Sequence, residues 1–163
     1  MVTTDAIRRI VREVTDPELP MLTIEDLGIL RAVTVDGNHA VVTITPTFSG
    51  CPAIPVIRRA LRSRLDAAGC HDVAVRTSFA PAWTSQWITA DGRRKLAEAG
   101  IAPPSGWARV DAPVFLGRPE PVVPCPRCGS AHTHVTADFA ATACKSLHRC
   151  DDCDEPFEHI KDG

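Results

Sequence analysis

Apolar side chains at Ile7, Ile10, Val11 and Val14 recur at i, i+3, i+4 and i+7, the spacing that lines one face of an α-helix. The pattern predicts a first helix over Thr4 to Val14, capped by Thr4 and ended by Asp16-Pro17. The period then shortens. Ile29 to Val35 and Ala40 to Thr45 are rich in β-branched residues and flank Asp36-Gly37-Asn38, which predicts a hairpin. After the loop Pro46 to Pro52, helical spacing returns over Pro52 to Ala68. There Ile54, Ile57, Leu61 and Leu65 form the apolar stripe, Arg58, Arg59, Arg62 and Arg64 are mostly solvated, and Gly69 stops the helix. Asp72 to Thr77 alternates as a third strand, a Pro/Trp-rich stretch covers Phe79 to Trp87, and a third helix spans Ala90 to Ala99 before Gly100 and Pro103-Pro104. The order α-β-β-α-β-α describes a small α+β sandwich with helices on one face of a short mixed sheet.

The pattern changes past residue 110. Asp111 to Pro124 holds four prolines and shows no periodicity, as a semi-extended linker would. The expected organisation is a domain over 1–110, a linker over 111–124 and a small cysteine-bearing module over 125–163. Composition fits two such modules: 163 residues, 44% hydrophobic, 23% charged, net charge -2. Residues 1–110 carry 13 basic and 11 acidic side chains, and residues 111–163 carry 5 and 9. That acidic tail argues against nucleic-acid binding. No apolar run approaches the ~20 residues of a membrane span, and the N-terminus lacks the apolar core of a signal peptide, so a cytoplasmic protein is expected.

Cysteine spacing supplies the strongest chemistry. Cys125 and Cys128 form one C-x-x-C pair and Cys150 and Cys153 another, on either side of 21 residues. Each pair bends the backbone into a knuckle that aims two thiolates at one point, so two knuckles on facing hairpins make a closed tetrahedral site. Gly129 suits the tight turn of the first knuckle, whereas Asp154 stands at that place in the second. Zinc is the expected metal, in a structural role; the same four sulfurs can also hold iron for one-electron transfer. Cys144 and His148 precede the second knuckle but are not needed by a four-cysteine set, and His132, His134 and His159 read as surface residues.

Cys51 is a different kind of thiol. It lies between Gly50 and Pro52 at the start of the second helix, where free N–H groups and the positive end of the helix dipole favour a thiolate. The sequence supports equally a reactive or metal-binding sulfur and a small residue at a helix start. Cys70, after the helix-ending Gly69, reads as structural. Asp16 and Glu18, in Asp16-Pro17-Glu18-Leu19-Pro20, suit turn geometry more than ligation, and the Thr47 hydroxyl is within reach of the Cys51 region, while Thr45 suits a strand end. Trp83 and Trp87, four apart, would share a helical face. No phosphate-binding loop, metalloprotease helix or nucleophile elbow occurs, which argues against a conventional stand-alone enzyme.

Together, Asp16 to Pro20, Asp26-Leu27-Gly28, Thr45 to Pro52, Pro81 to Thr84, Gly92 to Leu96 and Gly100 to Pro104, followed by the ribbon, resemble the SufT/PaaD-like family of iron-sulfur cluster assembly and transfer proteins. Ala140-Ala141 departs from the Gly-Ser expected in the ribbon, which weakens a role for Cys144. The resemblance implies a non-enzymatic accessory role in phenylacetyl-CoA ring 1,2-epoxidation during aerobic phenylacetate degradation. It implies that Cys51, with Asp16, Glu18 and Thr47 nearby, binds or transfers a transient iron-sulfur cluster to the reductase or the di-iron oxygenase. One thiolate cannot satisfy a cluster normally held by four, so further ligands from the chain, a homodimer partner or the client are implied. A scaffold subunit without cluster transfer, and rubredoxin-like electron transfer by the ribbon, are the competing expectations.

Overall fold

The computed structural model describes residues 3–37, 39–105 and 122–162. The expected linker over 111–124 therefore lies outside the described residues except for Val122 to Pro124, as does Asn38 of the expected turn. The chain divides into two compact units, Met1–Trp83 with Trp87–Gly92, and Thr84–Gln86 with Arg93–Gly163.

In the first unit, helix α1 spans Thr4–Arg12. Its cap is Thr3 rather than Thr4: the Thr3 Oγ1 accepts the Ala6 N–H at 3.2 Å. The helix also stops two residues early, because the Val14 carbonyl accepts the Ile24 N–H at 2.8 Å and draws the chain into an isolated bridge between Thr15 and Thr23. Val14 stays buried beyond the helix end, so the apolar stripe outlasts the helix. Strands β1 (Leu30–Asp36) and β2 (His39–Ile44) pair antiparallel, and β3 (Asp72–Thr77) joins β2 in parallel, giving the mixed order β1-β2-β3.

A parallel neighbour requires a crossover, and helix α2 (Ala53–Ala67) provides it. Its buried row is Ala53, Ile57, Leu61 and Leu65. Ile54, expected in that stripe, is half-exposed because a strict i+4 row selects Ala53 instead. The C-terminus closes as a Schellman motif: Gly69, at φ 87°, donates to the Asp66 carbonyl and Cys70 donates to that of Leu65, both at 2.9 Å. Cys70 is thereby fully buried, and burial followed by the nearby Asp72 charge raises its thiol pKa, as suits a structural residue. Helix α1 packs on α2 and β1, and α2 packs on β3.

Several residues of the family-like motifs hold this unit together. Asp26 Oδ2 and Thr23 Oγ1 accept each other's backbone N–H at 3.0 Å, and the Asp26 carbonyl accepts the Thr89 N–H at 2.9 Å. Thr89 then caps helix α3 (Ala90–Glu98), its Oγ1 accepting the Gly92 N–H at 2.9 Å. A Cβ on Gly92 would lie 2.7 Å from the Asp26 carbonyl oxygen, so the close approach requires glycine. Trp83 and Trp87 do not share a helical face, because only Ser85–Trp87 forms a helical turn, of 3-10 type. Trp83 is buried and donates its Nε1–H to the Leu27 carbonyl at 2.9 Å, while the Arg31 guanidinium lies 3.5 Å over the Trp87 ring.

The second unit is a four-stranded sheet ordered β4-β7-β6-β5, with β4 (Ile101–Ala102), β5 (Thr133–Ala137), β6 (Lys145–Cys150) and β7 (Pro156–Ile160). Strands β5, β6 and β7 form an antiparallel meander, and β4 adds in parallel to β7. Its apolar cluster is small: Ala102, Val123, Cys125, Cys150 and Phe157.

Candidate metal centre and loop thiol

The two knuckles meet as the spacing requires. The sulfurs of Cys125, Cys128, Cys150 and Cys153 all lie within 4.8 Å of one another, with Cys125 to Cys153 at 3.8 Å and Cys128 to Cys150 at 3.6 Å. Zinc–sulfur bonds of ~2.3 Å in a regular tetrahedron place sulfurs ~3.8 Å apart. The four thiols thus fit a zinc ion.

The knuckles are built alike. The Cys125 N–H donates to the Ser130 carbonyl at 2.9 Å, and the Cys150 N–H donates to that of Glu155 at 3.0 Å. Gly129 (φ 75°) and Asp154 (φ 60°) both occupy the left-handed region that this turn demands. Asp154 tolerates it beside Arg149, whose Nη2 donates to Asp154 Oδ1 at 3.2 Å. Ion pairing of Arg127 with Glu155, a hydrogen bond of Ser130 with Asp152, and the Asp151 N–H on the His132 carbonyl at 2.9 Å brace one knuckle against the other.

The thiols themselves ask for a cation. Burial opposes a charge on Cys125, but N–H groups of Cys128 and Arg127 and the neighbouring thiols bring its pKa down to about 7. At Cys153 the Glu155 N–H favours the thiolate, yet desolvation and the other three cysteines push the pKa up to about 12. One thiolate therefore opposes the next, and a divalent ion removes that conflict. Cys144 stands apart, its sulfur 3.1 Å from the Thr142 hydroxyl.

His159, expected on the surface, is buried, because β7 turns Phe157 and His159 to its covered face. Its Nδ1 lies 3.2 Å from the Ala102 carbonyl, and its ring meets that of buried His148 edge-on at 5.3 Å. Burial holds both imidazoles below their ordinary pKa, and at His148 the neighbouring His159 and His134 act in the same direction. The unfolded chain then binds more protons than the folded one once the pH falls below ~6.5, so this stability is complete above that pH and is lost on acidification toward the folded values. We expect the metal-loaded His159→Phe protein to lose less stability than the parent between pH 7.5 and 5.5, by up to ~1.4 kcal/mol per pH unit. Urea unfolding checks this, and identical pH slopes would refute it.

Cys51 lies in the first unit, half-exposed, one residue before Pro52, which is the N-cap of α2. The sequence predicts Pro52 as the first helical residue; the helix starts one residue later, which still leaves Cys51 beside its N-terminus. The Cys51 N–H donates to the Phe48 carbonyl at 3.2 Å, and its own carbonyl accepts the Ile54 N–H at 3.4 Å. Thr47 is half-exposed in the same loop, whereas Thr45 is buried at the strand end. Asp16 is buried, and its Oδ1 accepts the N–H groups of Glu18 at 2.8 Å and Leu19 at 3.0 Å, the geometry of an Asx turn. Glu18 is exposed. Among the described residues, the ribbon cysteines form the one metal-competent group of three or more such side chains, so Cys51 offers a single local thiol.

Two protein families match successive parts of the chain. The family described as iron-sulfur cluster assembly protein matches residues 4–76, and that described as PaaD zinc beta ribbon domain matches residues 109–161. The first unit is similar to a solved domain of unknown function, DUF59, from Bacillus anthracis, at a TM-score of 0.52 and 27% identity over 56% of this chain and 89% of that one. An "Fe-S protein maturation auxiliary factor" of Porphyromonas gingivalis is 31% identical over 58% of this chain and 90% of its own. Fold and site thus define an iron-sulfur-assembly-type domain joined to a zinc-ribbon module with a four-cysteine metal site. Over 93% of its length the chain is 44% identical to an Escherichia coli K12 protein named as one subunit of a "Putative 1,2-phenylacetyl-CoA epoxidase", covering 88% of that protein. The chain belongs to this PaaD family of epoxidase subunits.

Proposed function

We propose that the chain is a cytoplasmic, non-catalytic accessory factor of a phenylacetyl-CoA ring 1,2-epoxidase system, and that it assembles or delivers an iron-sulfur cluster to the reductase or the di-iron oxygenase. In this reading the ribbon holds structural zinc, and the cluster is cargo. The observation that carries the reading is the separation of the two kinds of thiol: four cysteines close on one another in the ribbon, while Cys51 lies outside that group at the head of α2, half-exposed. A closed four-sulfur site leaves no position for exchange. A single accessible thiol beside a helix N-terminus binds soft metal weakly enough to release it. The remaining cluster ligands come from a second copy of the chain or from the client. Thr47, in the same loop, and Glu18, exposed in the acidic turn, are the further groups assigned to cargo handling, with Asp16 shaping that turn.

Anaerobic reconstitution tests the reading. Cys51→Ala is expected to bind and transfer less than about one-tenth of the parent's cluster to the apo reductase, while retaining its ribbon metal. Full restoration of epoxidase activity and reductase cluster content by Cys51→Ala in a deletion strain would instead leave a scaffold subunit.

A further inference from the structure

The sequence pattern predicts simply solvated arginines along α2, yet three of them line a feature of their own. Between α2 and the chain entering β3 runs a groove of about 780 Å³, open rather than enclosed, lined by Arg58, Arg59 and Arg62 with Ile54, Cys70 and Val73 among the apolar residues. Arg58 is anchored by its Nη1 on the Thr77 hydroxyl at 3.5 Å. Arg59 and Arg62 are exposed and form no ion pair with any described residue. Asp66 is the one carboxylate in the lining, and it already faces the His71 Nδ1 at 2.5 Å. The groove thus offers uncompensated positive charge over an apolar floor, in a chain whose net charge is negative.

We propose that this groove docks an acidic segment of a partner protein, one that alternates carboxylate and apolar side chains. Arginine forks suit carboxylates, and Ile54 and Val73 suit the apolar positions between them. An extended segment fits best, because β3 pairs with β2 on one edge and with no described strand on the other. The open shape speaks against a small molecule, whose sites enclose most of the ligand surface. The inference rests on the accessory reading only for the existence of a partner.

The test uses the full-length, metal-loaded chain and a fluorescein-labelled, end-capped synthetic peptide of alternating Glu and Leu. Saturable binding is expected for the parent, weakened about tenfold or more by Arg59→Glu/Arg62→Glu and by replacing the peptide's Glu with Gln, and weakened by salt. Arg8→Glu/Arg9→Glu, a charge reversal on α1 outside the groove, is expected to change binding less than about twofold. Both arginine pairs are exposed, and matched urea midpoints will show that the variants fold. Failure of the parent to bind, equal loss in both charge-reversal proteins, or complete displacement of the peptide by millimolar inorganic phosphate each overturns the proposal. Cys51→Ala is expected to bind the peptide as the parent does, so failed docking and failed cluster transfer are distinguishable.

Discussion

Replacing Cys150 with Ser is expected to unfold the ribbon while leaving the first unit intact. Cys150 is fully buried, and with Cys125 it makes up two of the five residues in the ribbon's apolar cluster. The remaining three, Ala102, Val123 and Phe157, together with buried Ile101 and Ile160, are too few to offset the conformational entropy of ordering the strands around them. Structural zinc contributes ~10–16 kcal/mol in small zinc-binding peptides, far more than that cluster provides. The parent should carry about one zinc per chain and little iron as isolated. In Cys150→Ser the metal content should fall severalfold, and amide hydrogens of β5, β6 and β7 should exchange at rates near those of an unfolded chain. The parent treated with a strong chelator should behave likewise. Cys144→Ser, whose sulfur lies outside the four-cysteine group, serves as the control and should keep both metal and protection. Stoichiometric iron in the parent would sink the zinc assignment, and a protected, metal-replete Cys150→Ser protein would sink the folding argument.

The second large effect is expected at Gly28. Its φ of 67° is one that side chains rarely adopt, and an added Cβ would sit 2.4 Å from the Trp87 Cβ and 2.6 Å from its carbonyl oxygen. Left-handed backbone alone costs an alanine ~1–2 kcal/mol. The clash adds more, because the obstacle includes main chain that Asp26 and Thr89 hold in place two residues away through the 2.9 Å bond between them. Gly28→Ala is therefore expected to lose about 3 kcal/mol or more, seen as a melting temperature lower by on the order of 15 °C. Gly37 provides the internal comparison: its φ is 58°, but a Cβ there would meet nothing within 4 Å. Gly37→Ala should show only the backbone cost, ~1 kcal/mol. Equal losses at the two glycines would mean that packing against Trp87 does not matter.

Burial also explains why the motifs that suggest a family have unequal meaning. Asp26, Gly28 and Gly92 stand among the motifs that carry the family resemblance, yet their part in the structure is to hold two segments together. They join the 23–28 turn to the 87–92 segment by hydrogen bonds and close approach. Asp16 likewise shapes a turn through two N–H groups. A linear motif records that a residue type matters at a position; it does not separate a ligand from a hinge pin.

The sequence alone determined the element order of the first unit and the four-cysteine group of the ribbon, because both depend on local periods. Helices and strands follow from 3.6- and 2-residue repeats, and a C-x-x-C knuckle is closed by hydrogen bonds within six residues, here Cys125 to Ser130 and Cys150 to Glu155. It placed Cys51 beside a helix N-terminus for the same reason. Only the tertiary structure decided what long-range packing sets. Two residues at Ile101–Ala102 are too short to show a period, yet they pair with β7 and extend the ribbon sheet. His159 is buried because the Ala102 carbonyl, far away in the chain, and the His148 ring, on the neighbouring strand β6, both meet it. The arginines of α2 acquired a common groove only when Cys70 and Val73 came to lie beside them. In each case the deciding partner is tens of residues away or on another element, and side-chain surroundings of that kind leave no periodic trace in the chain.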